Sequence, residues 1–172
     1  MTYVRVAAAS AMMIMLAGCA GSISQPKALM ALTADQQSAV HISNITADGA
    51  TGVNVTPGDI GMINEKVRNY ISEDSPGVMV DPSTGDALTL KIHYTRFDRG
   101  NALARFILIG LGQIHIDAKV SLLKADGTSV AEYQVNKTFF LGGIAGGVTS
   151  VEDVEEGFAK SVAEVVKPKV AS

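Results

Sequence analysis

The feature that most constrains this chain is Asp126-Gly127, set between two alternating runs within Gln113 to Phe140. Glycine accepts the positive φ that a tight hairpin turn needs, so Asp-Gly between alternating strands predicts a β-hairpin. A two-residue turn opposes Ala125 to Thr128, and the register follows. Leu122 then faces Ala131, Val120 faces Tyr133, Ala118 faces Val135 and Ile114 faces Phe139, apolar against apolar. The other pleat sets Ser121 against Glu132, Lys119 against Gln134, Asp117 against Asn136 and His115 against Thr138. A slip of one residue would mix the faces. The exceptions are Lys137 opposite Ile116 on the apolar face and Leu123 with Val130 on the polar one. Lys137 could snorkel at the sheet margin.

Around the hairpin, other elements can be read. Val40 and Ile42 alternate with His41 and Ser43, predicting a strand over 39–45. Asp48 to Val55 carries two glycines and reads as a loop. Thr56 as N-cap, Pro57 at the first helical position and Asp59 in the first turn open a helix. It presents Ile60, Ile63, Val67, Tyr70 and Ile71 on one face and ends near Glu73. Val78 to Val80 is a candidate edge strand, followed by turn residues 81–85. Ala87 to Phe97 alternates again, with Leu88, Leu90, Ile92 and Tyr94 on one side. Ser150 starts a last helix with the stripe Val151, Val154, Phe158, Val162 and Val165. Glu152, Asp153, Glu155 and Glu156 open it, and Lys167 and Lys169 close it. That polarity complements the helix dipole and reads as a solvated acidic end. The predicted class is α+β: a single antiparallel sheet of about four to five strands, packed on one face by two helices.

The N-terminus has a different character. Arg5 precedes an apolar run, Val6 to Leu16, and small residues lead to the only cysteine in Leu16-Ala17-Gly18-Cys19. This is the pattern of a secretory signal peptide, too short for the ~20 residues of a bilayer span. Leu-Ala-Gly-Cys resembles the lipobox of bacterial lipoproteins. The resemblance implies cleavage after Gly18, diacylation of Cys19 with palmitate-type chains, and attachment to the bilayer through that residue. Ala20, where retained lipoproteins have aspartate, implies the outer membrane with the domain facing the periplasm. The expected organisation is signal peptide 1–18, lipidated tether 19–37, one domain 38–167 and a tail 168–172. Removal of 1–18 leaves 154 residues of 172 and moves the formal charge from −3 to −4, which does not favour nucleic acid. With Cys19 lipidated no thiol is left for a disulfide.

Two apolar, glycine-bearing segments flank the hairpin, Ala104 to Gly112 and Leu141 to Val148. The register brings them to its open end. Such runs ordinarily extend strands and bury against helices, with glycines at bulges or turns. Alternatively they form an exposed patch for a protein partner, with Phe106, Ile107, Leu108, Gly110, Gly112, Gly142, Gly143, Gly146 and Gly147 as its candidate residues. A third reading is membrane contact through the spacing of Gly142 and Gly146, and of Gly143 and Gly147. Neither run has the Gly-Lys-Ser/Thr of a phosphate loop. Arg105 with Gly110 and Gly112, a strand, Asp126-Gly127, a second strand and Gly142 to Gly147 together resemble bacterial lipoproteins grouped as a domain of unknown function. The resemblance covers about the last two-thirds of the mature chain and brings no catalytic residue with it.

His41, His93 and His115 fall on polar pleats, and neighbouring strands could bring them together near Asp117. No short ligand spacing accompanies them, so His93, His115 and Asp117 are only weak metal candidates and no cofactor is expected. No Gly-x-Ser-x-Gly elbow or acid/base pair occurs, and no enzymatic activity is expected. The expected role is a structural or accessory module of an envelope assembly with a protein partner. The alternative is a periplasmic lipoprotein that binds a small ligand or metal on its polar sheet face.

Overall fold

The structure is a computed structural model, which describes residues 23–107, 112–139 and 150–168. Its elements are β1 (Lys27–Met30), α1 (Ala34–Ser38), β2 (Ile42–Gly49), α2 (Pro57–Asp74), β3 (Leu88–Asp98), α3 (Ala102–Ile107), β4 (Ile114–Leu123), β5 (Ser129–Phe139) and α4 (Val151–Ala163). A 3₁₀ turn, Glu164–Val166, extends α4. Among these residues the strands form one open sheet in the order β1-β5-β4-β3-β2. The α+β class is as expected.

The hairpin has the predicted register. Leu122 pairs with Ala131, Val120 with Tyr133, Ala118 with Val135 and Ile114 with Phe139. Only the turn differs. Lys124 donates to the Thr128 carbonyl at 2.9 Å, enclosing three residues rather than two. Gly127 there takes φ +82°. The extra loop residue is compensated next to the turn, where Leu123 pairs with Ser129 and Val130 is left over. The strand register is therefore untouched.

The sheet is mixed, not purely antiparallel, because β2 runs parallel to β3. Helix α2 is the reason. It carries the chain from the end of β2 back to its start, and a strand that follows such a crossover enters parallel. The expected edge strand at 78–80 shrinks to one bridge, Met79 against Ile42. The expected first strand is displaced to Ile42–Gly49, so Asp48 belongs to the sheet rather than to a loop. The stretch 19–37, expected as a tether, contributes structure from Lys27 onward. β1 pairs with β5, and Thr33 caps α1 through a complete capping box.

Helices α2 and α4 cover one face. They pack on each other, α2 over β2 and α4 over β4 and β5. Beneath them Ile63, Val67, Phe158 and Val162 meet Leu90, Ile92, Tyr94, Val120, Leu122 and Val135, all fully buried. Burying side chains of this kind contributes ~1.5–3 kcal/mol each before conformational entropy is set against it. Both helices open with complete capping boxes, Thr56 with Asp59 and Ser150 with Asp153. Two charged residues depart from expectation. Lys137 is 4% exposed and sits within the core face instead of snorkelling at the margin. Glu155 is buried between the helices, where Lys66 of α2 reaches it at 3.1 Å, so the acidic start of α4 is not wholly solvated.

Candidate functional site

The uncovered face of the sheet is a polar plane built row by row. Cross-strand partners share a face, so Asp48, His93, Lys119, Gln134 and Lys27 form one line across all five strands. The neighbouring rows are Arg96, Asp117 and Asn136, then Asp98, His115 and Thr138. Within the first row Asp48 accepts from His93 Nδ1 at 2.5 Å and from Lys91 Nζ at 3.0 Å. The His93 bond chiefly, helped by Lys91 against partial burial, holds the Asp48 carboxyl below its ordinary range.

A bulge in β3 assembles the other two rows. Tyr94 pairs with Ala118, yet Arg96 pairs with Asp117, leaving Thr95 as an extra residue. Strict alternation would have turned Phe97 to solvent. The bulge returns Phe97 to the core, edge-on to Tyr94, and turns Arg96 and Asp98 to the polar face. There His115 Nδ1 lies 3.1 Å from Thr138 Oγ1. Partial burial, with the Arg96 guanidinium nearby, pushes the His115 imidazole down. Burial pushes the Asp117 carboxyl up. A shallow hollow of about 440 Å³ opens beside these groups, lined by Arg96, Asp98, Asn101, Gly112 and His115.

The three histidines stay apart. His41 bonds to the Gly77 carbonyl at 3.2 Å, at the entrance to β2. His93 faces Lys119, and His115 is four residues further along β4, ~13 Å away at strand rise. Among the described residues no group of three or more His, Cys, Asp or Glu could hold a metal ion. His93, His115 and Asp117 therefore do not form the cluster that shared pleats made conceivable.

Above the hollow, the β3–β4 connection is closed at its base. Asn101 N donates to the Gly112 carbonyl at 3.1 Å, and Asn101 Oδ1 caps α3 at Ala104 N, 3.0 Å away. Gly112 has φ +64°, and a Cβ there would collide with the Asn101 carbonyl oxygen. The described part of the first apolar glycine segment, 104–107, thus lies in a short helix and not in an extension of β4. One face of α3 stands in solvent, with Leu103 68% and Ile107 64% exposed. Ile107 and Gly112 are the candidate patch residues placed here, together with the backbone of Phe106. Leu108, Gly110, Gly142, Gly143, Gly146 and Gly147 lie outside the described residues, as does Cys19.

Three features were not anticipated from sequence. Leu103 joins the patch through the i, i+4 spacing of a helix, a period its mostly apolar neighbours hide. The Arg96–Asp98 pair reaches the polar face through the bulge. Its signal was Thr95-Arg96, two polar residues in succession that break the alternation. The third is β1, whose four residues are all exposed.

On the helix side of the same corner, Asp59 joins α2 to the end of β3. It closes the Thr56 box and pairs with Arg99, whose guanidinium lies 5.1 Å from the centre of the Phe97 ring. Burial acts to raise the Asp59 carboxyl, but Thr56 and Arg99 outweigh it and hold the group below 3.8.

No helix among the described residues is long and apolar enough to cross a membrane. Comparisons with known proteins agree with this picture of fold. The chain is similar to the PelC dodecamer of Paraburkholderia phytofirmans at 12% identity and a TM-score of 0.54, covering 86% of this chain and 100% of that one. A point variant of that dodecamer gives 10% identity and 0.52, covering 83% and 96%. A candidate lipoprotein from Caulobacter crescentus gives 15% identity over 78% and 88% of the two chains, at a looser TM-score of 0.43. Likeness at these identities shows the fold alone. No curated protein matches in sequence. Residues 62–143, from the middle of α2 through the whole hairpin, match the family described as a domain of unknown function, DUF4410.

Proposed function

We propose that this chain is a lipid-anchored accessory module of the outer membrane, facing the periplasm, that acts without catalysis inside a multi-chain envelope assembly. The observation that carries the proposal is the junction at Cys19. The Leu-Ala-Gly-Cys segment closes an apolar leader, and the first strand, β1, begins eight residues after the cysteine, at Lys27. Such a junction suits a body pinned at its N-terminus to a lipid. Several acyl chains, at ~0.8 kcal/mol per buried CH₂, would make attachment effectively permanent.

The assembly part of the reading is supported by Leu103 and Ile107. Contiguous exposed apolar surface marks interaction sites, and Leu103 and Ile107 share one face of α3 beside further apolar sequence. The similar PelC chain forms a dodecamer, which makes self-association a natural form for the assembly. The polar sheet face offers ion pairs but no converging set of ligands, which favours this reading over small-ligand binding.

The anchor is tested by labelling cells with radioactive palmitate and separating their membranes on a density gradient. Wild type should be labelled and travel with the outer membrane, and Cys19→Ala should be unlabelled and released. An unlabelled wild type defeats the proposal. The assembly is tested by crosslinking intact cells. Leu103→Asp with Ile107→Asp, and separately Gly143→Val, should abolish the crosslinked species; survival of every crosslink in all these variants removes the docking role.

A further inference from the structure

We infer that the β1 edge of the sheet lies on the bilayer surface, with Ile23, Leu29 and Met30 at the level of the headgroups and upper acyl chains. The inference rests on the lipid anchor at Cys19 proposed above. It adds the orientation of the domain and the surface that meets the lipid.

The first observation is that three of the six exposed large apolar side chains among the described residues lie close together in the chain. Ile23 is 44%, Leu29 55% and Met30 40% exposed, three within eight residues. They sit where the domain emerges from its anchor. Every residue of β1 is exposed, so the strand is not there to build core. It pairs with β5 on one side only, and a bulge at Leu29 interrupts its register. Its shortness, Lys27 and the bulge protect the edge from pairing, yet they leave the Leu29 and Met30 side chains as apolar surface.

The second observation is the length of the leash. Ser24 N donates to Ser161 Oγ at 2.7 Å. Ser161 is fully buried on α4, and its own hydroxyl donates to the Gly157 carbonyl at 2.7 Å. The chain is therefore stitched to the core at Ser24, five peptide steps from Cys19. Fully extended, five steps span ~17 Å. A compact domain of this size is ~40 Å across. The leash is under half that width, so however the domain tumbles, the surface around Ser24 and β1 stays beside the bilayer.

The third observation concerns depth. The outer N–H and C=O groups of an edge strand need partners, which hydrocarbon does not supply and the hydrated headgroup layer does. Exposed Lys27, on the same strand, suits anionic headgroups. β1 therefore lies in the interface, with Leu29 and Met30 dipping ~5–10 Å below it as amphipathic anchors do.

The chain contains no tryptophan, so one introduced indole reports alone. Full-length lipidated Leu29→Trp, Met30→Trp and, as a control, Thr84→Trp on an exposed turn three strands away would be reconstituted. The vesicles would be phosphatidylethanolamine and phosphatidylglycerol, with brominated acyl chains as quencher. Flotation with the vesicles reports the anchor, and a thermal melt reports folding. Quenching of the 29 or 30 probe at least twice that of the 84 probe is expected. Equal quenching in protein that floats overturns the inference and leaves the anchor standing. A probe at 29 shielded from both brominated lipid and aqueous acrylamide overturns it in favour of a second copy paired along β1. Protein that stays unattached to the vesicles defeats the anchor and the orientation together.

Discussion

At the scale of single residues, the pH dependence of stability rests on a few charged groups held at the helices. Glu155 is the clearest. Burial raises its carboxyl above 4.5, and Lys66 only partly offsets that. An acid whose folded pKa is raised favours the folded state while protonated and costs stability as pH rises through it. Lys66→Ala removes the offset, so the loss should be ~1–3 kcal/mol at pH 7 and smaller at pH 4.5, where Glu155 protonates. Urea unfolding at the two pH values measures it, and equal losses would mean that Lys66 acts by packing alone. Asp59 has the opposite sign. Its folded value lies below 3.8, so its stabilisation is complete above that pH and is lost as pH falls through the folded pKa. Asp59→Asn should cost ~1–2 kcal/mol at neutral pH by opening the Thr56 box and freeing Arg99. That cost should fade in acid. At Gly112 the constraint is steric, since φ +64° and the Asn101 carbonyl leave no room for a side chain. Gly112→Ala should lower the melting temperature by several degrees, ~1–3 kcal/mol for a strained position of this kind.

At the scale of elements, the bulges in β3 and β5 show how a sheet tolerates an extra residue. In β5 the bulge absorbs a longer turn, and in β3 it restores Phe97 to the core. Thr95 is supernumerary, so its deletion leaves Tyr94, Arg96, Phe97 and Asp98 in simple alternation. Deleting Thr95 should therefore leave a folded domain that melts cooperatively. Deleting Lys119 from central β4 should unfold it by turning Val120 and Leu122 to solvent. Circular dichroism melts of both deletions check this, and equal damage would show that the bulge is required. The same comparison explains what was readable. The hairpin register could be taken from sequence because turn chemistry and alternation are both local and agree. The β3 bulge could not, because alternation fixes parity only while no residue is added. The direction of β2 could not either, because it depends on where α2 sets the chain down.

At the scale of the whole molecule, one side of the sheet is closed by helices and the other is a charged, solvated plane. Among the described residues, exposed large apolar side chains gather at two places, the α3 tip and the β1 edge, while Met62 on α2 stands alone. Two separate apolar sites suit a body that touches two things, a membrane and a neighbour. The expected consequence is separable defects. Leu103→Asp with Ile107→Asp should lose crosslinked partners and stay with the outer membrane. Cys19→Ala should lose the membrane while keeping the melting temperature of the folded domain, because the buried cluster among the described residues is built from Leu32 to Val166.

By itself the sequence determined the α+β class, the hairpin with its register and both long capped helices. Each of these rests on near neighbours along the chain, where spacing, capping chemistry and alternation act directly. Only the tertiary structure decided the parallel pairing of β2, the burial of Glu155 and Lys137, the separation of His93 from His115, and the incorporation of 27–38 into the domain. Those depend on which distant segments meet, and the free energy of such meetings belongs to pairs of residues that no local pattern relates.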